Sequence, residues 1–204
     1  MKWFIILLSL FILSINIHAQ VPGCDCGVTK GTKHPRQEIK DRPIPSSINS
    51  SSNTSVNDMI GWTVPENPKI KGSQKDAKEK SLYSVSGYLQ NIKIGPDDCD
   101  LEIELSANKD KSSDRIIAEI PNTKEYCILR EKLLKDLKDK YSFNLNKGSN
   151  TLNNAPEIKL TGYSFWDSQF YSDKAAAREK GKGHGSKYVK SLWEIHPVVN
   201  IEVE

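Results

Sequence analysis

The sequence contains no dinucleotide fingerprint, no Walker-type phosphate loop and no hydrolase nucleophile motif. Nothing in it suggests an organic cofactor, so none is expected. An excess of charge of one sign is also missing: 29 basic residues stand against 26 acidic ones, a net charge of +3. Dedicated nucleic-acid binders usually concentrate far more positive charge. Cysteine is scarce, with four in the chain. A C-x-C at Cys24 and Cys26 with isolated Cys99 and Cys127 matches no usual zinc spacing. Past residue 17 no apolar stretch is long enough to span a bilayer.

The one long apolar run, Trp3–Ile17, follows Lys2 and leads to Ala19. A basic start, an apolar run of this length and a small residue describe a secretory signal peptide at residues 1–19, cleaved after Ala19. The run is short for a membrane anchor. The expected location is therefore secreted or periplasmic. Val21-Pro22-Gly23-Cys24 loosely resembles a lipobox, which makes a lipid anchor at Cys24 the alternative. Loss of Lys2 lowers the net charge from +3 to +2. Export into an oxidising compartment makes disulfides the default, and four cysteines allow three pairings.

Residues 20–57 read as a flexible tail, because the run Ser46–Val56 is built of Ser, Asn and Thr and cannot offset its ordering entropy by apolar burial. Asn49 and Asn53 head N-glycosylation patterns that a Ser/Asn-rich run produces by chance. Residues 58–82 read as a strap packing Trp62 on a domain that spans 58–204.

Within that domain the period alternates at two over Tyr83–Ile94, Cys99–Ala107, Asp114–Pro121, Glu157–Asp167 and Lys190–Val203, which predicts five strands. Ile128, Leu129, Leu133, Leu134 and Leu137 change to the helical spacing and predict an amphipathic helix over 125–140. The order β-β-β-α-β-β is that of an OB-fold, a mainly β, five-stranded Greek-key barrel with its helix between strands three and four. Gly87 and Gly162, inside the first and fourth strands, suit the bends such a barrel needs. An open α+β sheet uses the same elements. A hairpin of the second and third strands brings Cys99 near Cys127, which predicts a disulfide between them. Cys24 and Cys26 would then remain on the tail.

The last strand carries the densest chemistry. Trp193, Ile195, Val199, Ile201 and Val203 share one face, and Glu194, His196, Asn200 and Glu202 the other. Glu194 and His196 stand roughly 7 Å apart along the strand and can satisfy each other. Pro197 cannot donate to a ladder and marks an edge or a bulge.

Four segments, DCDLEIEL, RIIAEIP with a following YC, LTGYSFWD and WEIHPV, resemble a group of exported bacterial proteins whose closing strand reads E-[LI]-H-P-V. The resemblance covers roughly the last 120 residues and implies shared architecture only. Relatives often carry a histidine where this chain has Glu102, and an H-G-Q-x-G soon after the fourth strand. Here Asp167 is followed by a longer basic insertion in which His184-Gly185 is the nearest counterpart.

Two constellations can carry function. Asp98, Asp100, Glu102, Glu119, Asp167, His184, Glu194 and His196 could gather at one end of a barrel. There Asp98, Asp100, Glu119, Glu194 and His196 are candidate catalytic groups. Asp167, His184 and His196 are candidate ligands of a divalent metal in a metal-assisted hydrolase, a nuclease or phosphoesterase. The second is the loop Lys174–Lys190, in which Lys180, Lys182, His184 and Lys187 lie among glycines, with Tyr163 and Trp166 close in sequence. It suits an anionic polymer, nucleic acid or polysaccharide. A binding module for such a partner or for an envelope protein is the first expectation, the hydrolase the second, a structural envelope protein the third.

Overall fold

The computed structural model describes residues 34–146, 148–171 and 185–204. The signal segment, Cys24, Cys26, Lys180, Lys182 and His184 lie outside the described residues. No helix among the described residues is long and apolar enough to cross a membrane.

Five strands close into a barrel: β2 (Leu82–Ile94), β3 (Leu101–Ser106), β4 (Arg115–Ile120), β6 (Glu157–Trp166) and β7 (Trp193–Val203). β2 pairs antiparallel with β3, and β3 with β4. β4 runs parallel beside β7, β7 is antiparallel to β6, and β6 returns to β2. Numbered among themselves, the barrel strands lie in the order 1-2-3-5-4, the Greek-key order of an OB-fold. The short β5 (Asn150–Thr151) flanks β2.

β2 serves two neighbours because it bends. Its first half pairs with β6 up to Tyr88, and its second half pairs with β3 from Tyr88 on. Gly87 sits at the change, where a Cβ would lie 2.6 Å from the Ser106 carbonyl oxygen. Gly162 on β6 meets β7 as closely: a Cβ there would strike the Pro197 carbonyl and the Ile195 side chain. Pairing of β6 with β7 slips on both sides of Gly162. This is the bulge that Pro197 announces.

Leu101, Ile103 and Leu105 of β3, Ile116, Ala118 and Ile120 of β4 and Ile195 and Ile201 of β7 fill the core. The helix α3 (Cys127–Tyr141) lays buried Leu133 and Leu137 against it. Lys132 Nζ and Tyr141 Oη donate to the Ile201 and Glu204 carbonyls, fixing the helix along the end of β7.

The chain before the barrel departs from the expected tail. From His34 on it is packed. It forms α1 (Gln37–Lys40), β1 (Ser52–Ser55) and α2 (Val56–Ile60). β1 adds to β2 in parallel. Its ladder uses only backbone groups, so a Ser/Asn/Thr run serves. Ser55 and Asp58 form a reciprocal capping box on α2, whose Val56 and Met59 are buried. Trp62 then stacks edge-on against Tyr83 and Trp193.

This added layer also changes the outer faces of the strands. Alternation over Cys99–Ala107 sets Asp100, Glu102 and Glu104 opposite Leu101, Ile103 and Leu105, on the outer face, and yet these acids are buried, as are Glu194 and His196. The face that alternation assigns to solvent is covered by the 34–44 segment, Lys93 and residues 185–188.

Candidate functional site

The acids read from the sequence do converge. Asp98 and Asp100 lie on the turn between β2 and β3, Glu119 on β4 and His196 on β7. The turn is fixed by Gly95 N–H donating to the Asp100 carbonyl, and by Cys99 in the left-handed region at φ 64°. One ligand atom each from Asp100, Glu119 and His196 lies within 4.8 Å of the others. His196 Nδ1 is 2.6 Å from Glu119 Oε2, and its Nε2 is 3.4 Å from Asp100 Oδ2. The sequence paired His196 with Glu194. The fold encloses its ring between Asp100 and Glu119 and leaves Glu194 buried two residues away on the same strand.

A residue the sequence did not flag completes the cluster. Lys40, at the end of α1, extends its ammonium to 2.8 Å from Asp98 Oδ2, 3.3 Å from Glu119 Oε2 and 3.6 Å from Asp100 Oδ2. Burial alone would lower the pKa of this lysine. The charges of Glu119, Asp100 and Asp98 outweigh it and hold the ammonium protonated well above its usual range. Asp98 is partly buried, but Lys40 holds it below the usual carboxylate value. Asp100 goes the other way: burial and then the charge of Glu119 push it up to about 8. Burial, reinforced by Lys40, lowers His196, so its imidazole is neutral at pH 7. A proton on Asp100 resolves the contacts of that ring, because a neutral imidazole owns one N–H and its two nitrogens both face carboxylates.

The rest of the 34–44 segment is held by charge as well. Arg36 is fully buried and makes a two-pronged pair with Glu79, both contacts at 2.8 Å. It also donates to the carbonyls of Trp166 and Gln74. Arg42 reaches the bulge in β7. Its Nη2 donates to the carbonyls of Ser164 and His196, beside the register slip between β6 and β7, while its plane covers the ring of Tyr163. Burial lowers this guanidinium to about 10, which leaves it charged. His34 Nδ1 accepts from Arg36 N–H, so Nε2 carries the proton and faces Asp167 Oδ1 at 3.4 Å.

Beside the cluster lies an open cleft of about 180 Å³ between the β2–β3 turn and the start of the β6–β7 connection. Its walls include His34, Lys40, Lys93, Asp98, Asp167 and the ring of Phe170. Asp167, a proposed metal ligand, thus belongs to the cleft wall with His34. The expected stacking aromatics have other partners: Trp166 is buried and donates its indole N–H to Pro68, and Tyr163 lies under Arg42. Lys187 is exposed and stands over the Tyr188 ring. The stem holding it is fixed by Glu104, which accepts from Ser186 N–H, Ser186 Oγ and Arg115. No bond joining Cys99 to Cys127 is seen among the described residues. Neither is a free thiol.

Sequence reasoning missed His34, Arg36, Lys40, Arg42 and Glu79. One signal was present: Arg36, Ile39 and Lys40 fall at i, i+3, i+4, one face of a helix. A stripe that is two-thirds charged does not look like a buried face.

The fold and its loop-end cleft define a small OB-type barrel with an ionic N-terminal layer. No family model, curated protein or solved structure matches the chain.

Proposed function

We propose that the protein is an exported binding module that takes its ligand in the cleft between the β2–β3 turn and the β6–β7 connection. The observation that carries this is Lys40. A metal-assisted hydrolase needs its acids open to substrate, and here Asp100, Glu119 and His196 are buried behind the chain's own ammonium, which itself lines the cleft. The cleft left open is at the position where OB barrels receive oligonucleotides and oligosaccharides.

The partner this reading favours is an anionic polymer, nucleic acid or polysaccharide. Lys187 and Lys190 belong to the basic loop that enters β7, and Lys180, Lys182 and His184 of the same loop extend the charge by sequence. Phe170 supplies an aromatic surface, 38% exposed. Secretion or periplasmic export, with the lipid anchor at Cys24 as its variant, belongs to the same proposal and rests on residues 1–24.

Fluorescence anisotropy with single-stranded oligonucleotides and with a sulfated polysaccharide tests the reading. Binding that weakens as salt rises is expected, with a shallower salt slope in Lys187→Glu. No binding of either polymer at low salt overturns the anionic-ligand reading.

A further inference from the structure

The cluster beneath the cleft has the composition of a metal site with a side chain standing in the metal's place. Two carboxylates and one imidazole converge from three separate elements, the β2–β3 turn, β4 and β7. Asp100 Oδ2 and His196 Nε2, 3.4 Å apart, make no regular hydrogen bond among the described residues, although both face the cluster and are excluded from water, while His196 Nδ1 is held 2.6 Å from Glu119 Oε2. Asp100 is already oriented from behind, because its other oxygen accepts from Asn122 N–H at 2.8 Å. Such outer contacts fix a ligand's direction in metal sites. The cation in direct contact with these oxygens is Lys40, at 3.3 and 3.6 Å, with the buried Arg130 guanidinium farther off and bonded to the Cys99 carbonyl. A metal–oxygen bond is about 2.0–2.2 Å, so an ammonium occupies this space more loosely than a dication would.

We propose that Asp100, Glu119 and His196 form a divalent transition-metal site for which Lys40 is the built-in competitor. One nitrogen and two oxygens suit zinc, manganese, iron(II) or cobalt(II) better than calcium or magnesium, which prefer all-oxygen shells. Lys40 also lines the cleft, so the way in for an ion is the way out for the lysine. When the ion binds, Lys40 withdraws, and α1 loses one of its attachments to the barrel. The two readings share Lys40: the polymer-binding reading rests on the lysine staying in place, so failure of the metal site leaves that reading standing.

The test uses the full chain stripped with a chelator, as wild type, Lys40→Met and Lys40→Met/Asp100→Asn. Zinc binding is followed by calorimetry, and cobalt(II) by its visible absorption. Lys40→Met is expected to bind one equivalent at least about tenfold more tightly than wild type. Asp100→Asn, nearly isosteric, is expected to abolish that gain. Lys40→Met could lose its fold without an ion, since it leaves buried acids without a counter-charge. In that case recovery of the folded state on adding zinc supports the site, and no recovery overturns it. Equal affinities of wild type and Lys40→Met, or a gain that survives Asp100→Asn, also overturn it.

Discussion

The barrel interior and the layer laid over its loop end are both buried, but by opposite means. Leu101, Ile103 and Leu105 enter the core by removing apolar surface from water, and they need only shape from their neighbours. Arg36, Lys40 and Arg42 enter the second layer as charges. Each needs a specified partner: Glu79 for Arg36, Asp98 and Glu119 for Lys40, and the carbonyls of Ser164 and His196 for Arg42. Apolar burial tolerates substitution in proportion to volume. Ionic burial fails abruptly, because the partner left behind is a charge with no water.

The largest effect should come from breaking one ionic pair. Arg36→Met leaves Glu79 buried without its counter-ion and should cost about 3–5 kcal/mol, read from urea midpoints. Arg36→Met with Glu79→Met should regain a large part of that loss. If the double variant is no better than the single, the pair itself is not what the layer depends on. Leu105→Ala, in the apolar layer, should cost about 2–5 kcal/mol, set by how far the barrel collapses onto the gap. No companion change on a facing carboxylate should rescue it.

The next effect is one of pH. Asp100 in the folded chain binds its proton up to about pH 8, whereas the unfolded residue releases it near 3.8. The folded state therefore holds the extra proton between those values, and stability falls as pH rises through the window. Neutral, buried His196 acts in the opposite sense only below its ordinary value of 6.5, where the unfolded ring gains a proton first. Between pH 6.5 and 8 the Asp100 slope should stand alone. Urea midpoints at the two limits should differ in wild type and converge in Asp100→Asn. A wild-type midpoint that rises across this window contradicts the proton assignment. The smallest effect belongs to the exposed Lys135–Asp139 pair on α3, where Lys135→Ala should leave the midpoint within error.

The same contrast explains what the sequence disclosed. Period-two alternation located all five barrel strands, the heptad-like leucines located α3, and Gly87, Gly162 and Pro197 marked the bend and the bulge. These signals are local, and apolar burial writes them into the chain directly. Asp98, Asp100, Glu119 and His196 were recognisable as a set because strand order carries them to one end. Lys40 was not, because its partners lie 58 to 79 positions away in sequence and nothing local shows that a lysine is buried. The same holds for residues 34–57. Polar composition argues for disorder only when no neighbour supplies the missing partners, and here the barrel supplies them. Alternation puts the β3 acids Glu102 and Glu104 on the outer face, and they are buried there for the same reason.

The central claim is that residues 34–44 are an integral layer of the barrel. Hydrogen exchange at Ile39, Lys40 and Asp41 tests it most directly, since their amides bond within α1 to the carbonyls of Arg36 and Gln37. A helix of four residues has no stability of its own in water, so any protection there must come from packing on the barrel. The account predicts protection approaching that of β3 and β7, lost selectively in Lys40→Met. Exchange of these amides at the rate of an unstructured chain, with β3 and β7 fully protected, would contradict it.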